Sequence, residues 1–186
     1  MYPRSLSLIV AGACALAALG AVSACGGGGS SSAGSAPRTV RGTGFSFSAP
    51  GDWLVKRLAT EVSATPKPIA AELVSVSTFP LLRPYRPSLF RAVTKELDAS
   101  AEQLATRLGG TVKERRTTTI AGQSVRQYLL EYPQDRQDPE ETYKGRITFV
   151  LRGKTEYELL CRWAGSDSEP DYCKQLERSF RPVKPT

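Results

Sequence analysis

The sequence contains no histidine. That removes the commonest general base, every Ser-His triad and the common zinc sites, which draw on imidazole. There is no P-loop either, because the glycines Gly26 to Gly29 are not followed by Lys-Ser/Thr and a helix. No two cysteines stand in C-x-x-C spacing. Aromatic residues are missing from the amino-terminal part: apart from Tyr2, none precedes Phe45. The core therefore belongs to the region from about Arg38 onward, roughly 150 residues, a length that buries enough surface to fold unaided.

What is present at the amino terminus has the form of an export signal. The free amine and Arg4 supply positive charge, and the uncharged apolar run SLSLIVAGACALAALGAV follows. Its Ala, Gly and Ser content and its small-residue end suit a cleaved signal, residues 1–24, better than a permanent span. Val22-Ser23-Ala24-Cys25 then resembles the bacterial lipoprotein signal motif, with Val where that motif prefers Leu. The resemblance implies cleavage before Cys25, a diacylglyceryl group on its thiol and further acylation, such as palmitate, on the new amino group. Two or more chains give the stable anchoring that one does not. Gly26 to Pro37, twelve residues of Gly, Ser and Ala with a closing Pro, has nothing to bury. As a flexible tether it averages roughly 20 Å and stretches to about 40 Å. Localisation at the outer face of the plasma membrane, in the cell envelope, follows.

Four cysteines are present. Cys14 leaves with the leader and Cys25 carries lipid, so Cys161 and Cys173 remain in an exported domain, where a disulfide is expected. The rival is a thiol pair for metal or redox work, but their spacing and the lack of histidine speak against it. No metal and no cofactor is expected.

Along the domain, 38–186, Phe45 and Phe47 alternate with serines in a short strand, and Ala49-Pro50-Gly51-Asp52 is turn chemistry. Further strands are predicted over 53–58 and 71–79. The segment Leu81-Leu82-Arg83-Pro84-Tyr85-Arg86-Pro87 is excluded from a central strand by its prolines. Ser88 is placed as the cap of a helix to Leu108, whose stripe Phe90, Val93, Leu97, Ala101, Leu104 and Leu108 stops at Gly109-Gly110. Strands over 111–120, 123–132, 142–151 and 155–163 follow, with turns at Ala121-Gly122 and Arg152-Gly153-Lys154, and short connections argue for antiparallel hairpins. A closing helix over 169–180 turns Cys173, Leu176 and Phe180 inward, so that a Cys161–Cys173 bridge pins it to the last strand.

The opening Gly44-Phe45-Ser46-Phe47 with Pro50 and Trp53, the Ile-Ala-Gly-Gln turn and the closing Ser179-Phe180-Arg181 resemble the PsbP-like superfamily, and within it the LpqN-type lipoproteins of actinobacteria. The resemblance covers nearly all of 43–182. It implies an α+β fold, an antiparallel sheet flanked by helices as an α/β/α sandwich, and roles in binding and assembly rather than catalysis.

Loss of Arg4 with the leader leaves 24 Lys and Arg against 18 Asp and Glu, a net charge of about +6. Clusters occur at Lys113, Arg115 and Arg116, at Arg83, Arg86 and Arg91 around Tyr85, and at Arg178, Arg181 and Lys184. They attract anionic lipid or acidic envelope polymers, while nucleic acid is disfavoured by the compartment. Arg83, Tyr85 and Arg86 form the expected partner-contact site, since prolines limit entropy loss and Arg with Tyr is the composition of interface anchors. The competing reading packs Leu82 and Tyr85 under the helix. Glu156 and Glu158 are expected to be a solvent-facing edge opposite buried Leu159, and residues 133–141 a solvated acidic loop, since a calcium loop needs a glycine that is absent.

The expected function is a non-enzymatic, monomeric, lipid-anchored module that binds an envelope protein, lipid or glycan. Two alternatives are a carrier of a small apolar ligand in a sheet–helix cavity and an enzyme of unusual histidine-free chemistry.

Overall fold

The computed structural model describes residues 35–135, 140–165 and 167–183. Cys25, the leader, most of the tether, part of the acidic loop and Lys184 lie outside the described residues. The elements in chain order are β1 (Arg38–Gly42), β2 (Phe45–Ala49), β3 (Leu54–Arg57), β4 (Glu61–Thr65), β5 (Leu73–Tyr85), α1 (Phe90–Leu108), β6 (Thr111–Ile120), β7 (Gln123–Pro133), β8 (Thr142–Ala164), α2 (Asp171–Ser179) and β9 (Arg181–Pro182). A six-stranded sheet is ordered β3-β4-β5-β8-β7-β6 and a three-stranded sheet β1-β2-β9, with every pairing antiparallel.

The extended run β8 is two strands in one. Drawn out straight, its 23 residues would span about 75 Å. Yet the Gly165 N–H donates to the Thr142 carbonyl at 2.7 Å, and the Arg162 guanidinium stacks 4.6 Å from the centre of the Tyr143 ring. The chain must therefore reverse midway, and Gly153, at φ +57°, sits at the reversal. The arm 142–149 pairs with β7 and the arm 153–162 with β5. The turn expected at Arg152-Gly153-Lys154 is where the chain turns back, in the left-handed region that glycine enters without penalty.

Strand alternation divides the core into two layers. Val74, Val76, Tyr157, Leu159, Cys161 and Trp163 face β1, β2 and α2, where Phe45, Phe47, Cys173, Leu176 and Phe180 complete the packing. Tyr128, Leu130, Ile147, Phe149 and Leu151 face α1 and meet Leu97, Ala101 and Ala105. Cys161 and Cys173 are bridged, with Cα atoms 5.4 Å apart, so α2 is pinned to the second arm of β8 as expected. The layer on this side is a helix plus a small sheet, not helices alone.

Several local expectations are corrected. β1 and β4 were not foreseen in the sequence. The cap of α1 is Leu89 rather than Ser88, with no side-chain cap hydrogen bond, because Pro87 starts a single 3-10 turn that displaces the helix start. Gly109 closes α1 in the left-handed conformation at φ +76°. β5 runs on through Pro84, but its pairing to β8 is interrupted between Pro80 and Tyr85 and β4 reaches only Ser77, so Pro84 meets no ladder demand.

Candidate functional site

The three residues expected to form a contact site are separated by the fold. Arg83 and Arg86 are exposed, whereas Tyr85 is half-buried and packs with Leu81 on the α1 side of the core, its burial raising the hydroxyl pKa. Leu82 is fully exposed at 102%. Neighbours in an extended segment point to opposite sides, so the inward Leu81 sends Leu82 outward, and the reading that packs both Leu82 and Tyr85 under the helix holds for Tyr85 alone.

The basic cluster on β6 is neutralised locally. Lys113 pairs with Glu131 at 3.2 Å, Arg115 with Glu102, and Arg116 with Glu114 at 3.5 Å. Glu156 and Glu158 lie opposite Leu159 as expected, but on a central strand and half-buried, not on an edge. Burial raises both carboxyls, and Glu156 and Glu61 raise Glu158 further.

A deeply polar layer lies beside α2. The Arg146 guanidinium, 5% exposed, donates to both oxygens of Glu169 at 2.8 Å. Buried Gln127 donates to Thr148 and Glu177, each at 2.6 Å, and accepts from Arg116 at 2.5 Å. Among the described residues no buried polar side-chain atom of Arg146, Gln127 or Thr148 is left without a partner, which fits a structural fastening of α2 to the sheet.

The open concave surface lies elsewhere. The turn between β1 and β2, with Gly44 at φ +79°, stands over the end of the main sheet. Gly42 precedes it because a side chain there would meet the Phe45 ring at 2.2 Å. The Gly44 carbonyl accepts from the Tyr157 hydroxyl at 3.2 Å and from the Val183 amide at 2.8 Å, which fixes the turn to β8 and β9. Across from it, the Thr78 amide donates to the Thr60 carbonyl at 2.8 Å. Between these walls is a cleft of about 930 Å³ lined by Arg41, Lys154, the hydroxyls of Thr43, Thr60, Thr78 and Thr155, and the half-exposed ring of Phe79.

A smaller recess of about 210 Å³ shares Arg41, Thr43, Thr60 and Thr78 and adds Arg57 and Glu61. On the other side of the β8 hairpin tip, a third recess of about 500 Å³ is lined by the Ala121-Gly122 turn, Arg152, Arg178 and Arg181. Burial raises the Glu177 carboxyl at its inner side, with the Gln127 hydrogen bond opposing that rise.

The strand register puts all three at one pole. Gly153 faces Tyr85, Glu61 faces Ser77, and Ile120 leads into the turn to Gln123 at the same end. Among the described residues none of Arg41, Arg57, Arg152, Lys154 and Arg178 is in an ion pair, and Arg181 donates only to backbone carbonyls of Arg178 and Phe180. The connections at the other pole carry Asp52, Glu72, Asp135, Glu140, Glu141, Asp167, Glu169 and Asp171, and Ser35 bonds to Asp52 there. Cations and hydroxyls arranged around a recess can hold an anionic group. Among the described residues no three His, Cys, Asp or Glu side chains gather as a metal-binding set.

Sequence reasoning named Arg178 and Arg181 as part of a basic cluster and missed the others, because each is unremarkable in its own segment. Arg41, Thr60, Phe79 and Lys154 come from four separate stretches of chain, and only the closed fold brings them together.

No protein-family model matches the sequence, and no curated protein does. Solved structures do. A crystal structure from Bacteroides thetaiotaomicron VPI-5482 aligns with a TM-score of 0.49 at 13% identity over 76% of this chain, which spans only 46% of that one. The solution structure of cyanobacterial PsbP (CyanoP) from Synechocystis sp. PCC 6803 aligns with a TM-score of 0.54 at 15% identity, covering 87% of this chain and 98% of that one. At such identity the likeness concerns architecture alone, and on that ground the chain carries a PsbP-like α+β fold.

Proposed function

We propose that this protein is a non-enzymatic binding module of the bacterial cell envelope, anchored by lipid on Cys25 and receiving its partner at the cleft beside the β1–β2 turn. The observation that carries the binding reading is the pair of unpaired cations, Arg41 and Lys154, over a recess walled by threonine hydroxyls and the Phe79 ring. Keeping unpaired charge around a concavity favours capture of an oppositely charged group. The module reading also agrees with the PsbP-like fold. A carrier of apolar ligands needs space between α1 and the sheet, and Leu97, Ala101, Tyr128, Leu130 and Phe149 occupy it.

Two measurements test the proposal. Cys25→Ser should move the protein from the membrane fraction to the soluble fraction and abolish its lipid mass; an unchanged fraction and mass would contradict the anchor. In-cell crosslinking should capture partners in the native protein that are lost when Arg41 and Lys154 are both replaced by Glu. An unchanged crosslink pattern would reject the cleft as the binding site.

A further inference from the structure

The free cations do not converge on one point. Arg57 lies in the smallest recess, Arg41 and Lys154 in the central cleft, and Arg152, Arg178 and Arg181 in the third. The first two recesses share a wall, and the central cleft and the third meet where Gly153 separates Arg152 from Lys154 and where Pro182 joins Val183. The result is a row of six cations running along one pole, through concave surface, with threonines interspersed and the two carboxylates Glu61 and Glu177 among them.

A single anion would need its donors gathered at one site, so a row matches a ligand whose charge repeats along its length. A flat anionic bilayer is a poor match, because Arg41 and Lys154 line a recess of about 930 Å³ rather than a convex surface. Thr43, Thr60 and Thr155 and the half-exposed Phe79 also line this cleft, where hydroxyls exchange hydrogen bonds with the ring hydroxyls of a sugar and an aromatic ring contacts its C–H face.

We infer that the basic pole binds a linear acidic polysaccharide, whose acid groups meet the successive cations and whose sugar rings settle in the central cleft. The inference rests on the cleft being the ligand site as proposed above, and is independent of the lipid anchor.

The test uses the full chain in detergent micelles and titrates it with short and long oligogalacturonates, a neutral oligosaccharide, poly-L-glutamate, and vesicles of phosphatidylcholine with phosphatidylglycerol. Longer oligogalacturonates should bind more tightly than short ones, and affinity should fall steeply with added salt. Replacing Arg41 and Lys154 together by Glu, or Arg152 and Arg178 together, should each weaken binding by about tenfold or more. Phe79→Ala should weaken oligogalacturonate binding while leaving any residual poly-L-glutamate binding unchanged. All these side chains are exposed or line open recesses, so an unchanged melting temperature certifies the fold of each variant.

Equal binding of the neutral oligosaccharide would overturn the role of the cations, and equal binding of poly-L-glutamate would overturn the sugar. Vesicle binding lost in the same variants, without saccharide binding, would replace the polymer by the membrane. Absence of binding to every probe, with the cellular crosslinks still dependent on Arg41 and Lys154, would reject the polysaccharide while leaving the binding module intact.

Discussion

The Arg126 guanidinium on β7 grips the Asp98 carboxylate on α1 through two contacts, Nε to Oδ1 at 2.9 Å and Nη2 to Oδ2 at 3.2 Å, and the Tyr128 hydroxyl donates to Oδ1 at 2.8 Å. With the Arg115–Glu102 pair, it is a polar fastening on a helix otherwise held by an apolar stripe. Burial alone would raise the Asp98 carboxyl, but the hydrogen bonds from Arg126 and Tyr128 and the nearby positive charge outweigh it, and the net shift is downward. A depressed carboxyl contributes stability above its unfolded pKa and loses it as pH falls through the folded value. Asp98→Asn should therefore cost about 1 kcal/mol at pH 7, a value kept modest because a third of the Asp98 side chain stays wet. Urea denaturation at pH 7 and below pH 3 checks this: the gap between wild type and variant should close in acid, and a gap independent of pH would refute the charge argument.

The bridge between Cys161 and Cys173 closes a short loop, with a sequence separation of 12. In the chain-entropy model a loop of that size is worth about 3 kcal/mol. Cys161→Ser should lower the melting temperature in oxidising buffer, and reductant should lower that of the wild type to nearly the same value. Because α2 also rests on Leu176, Phe180 and the Arg146–Glu169 pair, the variant should keep native far-ultraviolet circular dichroism. Identical melting with and without reductant would show that the bridge contributes nothing.

Ala121 has φ +48° and Gly122 φ +76°, so both central residues of the β6–β7 turn are in the left-handed region. That is a type I′ arrangement, which favours Asn-Gly and penalises an alanine first position. Ala121→Asn should stabilise the fold by about 0.5–1 kcal/mol, read as a higher urea midpoint with unchanged slope. A lower midpoint would mean that the turn relaxes its backbone in solution.

The sequence made the regular elements legible wherever a pattern repeats within one segment. Phe45 and Phe47 announced β2, the stripe from Phe90 to Leu108 announced α1, and Gly153 announced the β8 reversal. β1 and β4 carry too little pattern for that: RTVRG has Val40 as its only buried side chain, and EVSAT becomes a strand by pairing with β3 and β5. Charge was misread for a related reason. Lys113, Arg115 and Arg116 cluster along the chain, but their neutralising partners Glu131 and Glu102 come from β7 and α1. Arg178 and Arg181 are neighbours in sequence and stood out there, but Arg41, Arg57, Arg152 and Lys154 are dispersed and gathered only by register, so local composition pointed to Arg83, Tyr85 and Arg86 instead.

Glu158 faces Ser77 across β5, and Ser77 faces Glu61, so two carboxylates share one row of the sheet with Glu156 nearby. Burial is the first cause of the raised Glu158 carboxyl, and the charges of Glu156 and Glu61 add to it. A carboxyl raised in the fold favours the protonated state, so folding is opposed as pH rises above the ordinary carboxylate range, the reverse of Asp98. Glu158→Gln keeps the shape and removes the charge. It should stabilise the protein at pH 7 by on the order of 0.5 kcal/mol, the usual size of a relieved like-charge neighbour across a sheet. Near pH 4 the carboxyl is mostly protonated in both the folded and unfolded chains, and the advantage should shrink toward zero. Urea midpoints at the two pH values decide the matter: a variant less stable than wild type at pH 7 would mean that the Glu158 carboxylate is held by a favourable contact, and the burden placed here on the Glu61–Ser77–Glu158 row would be wrong.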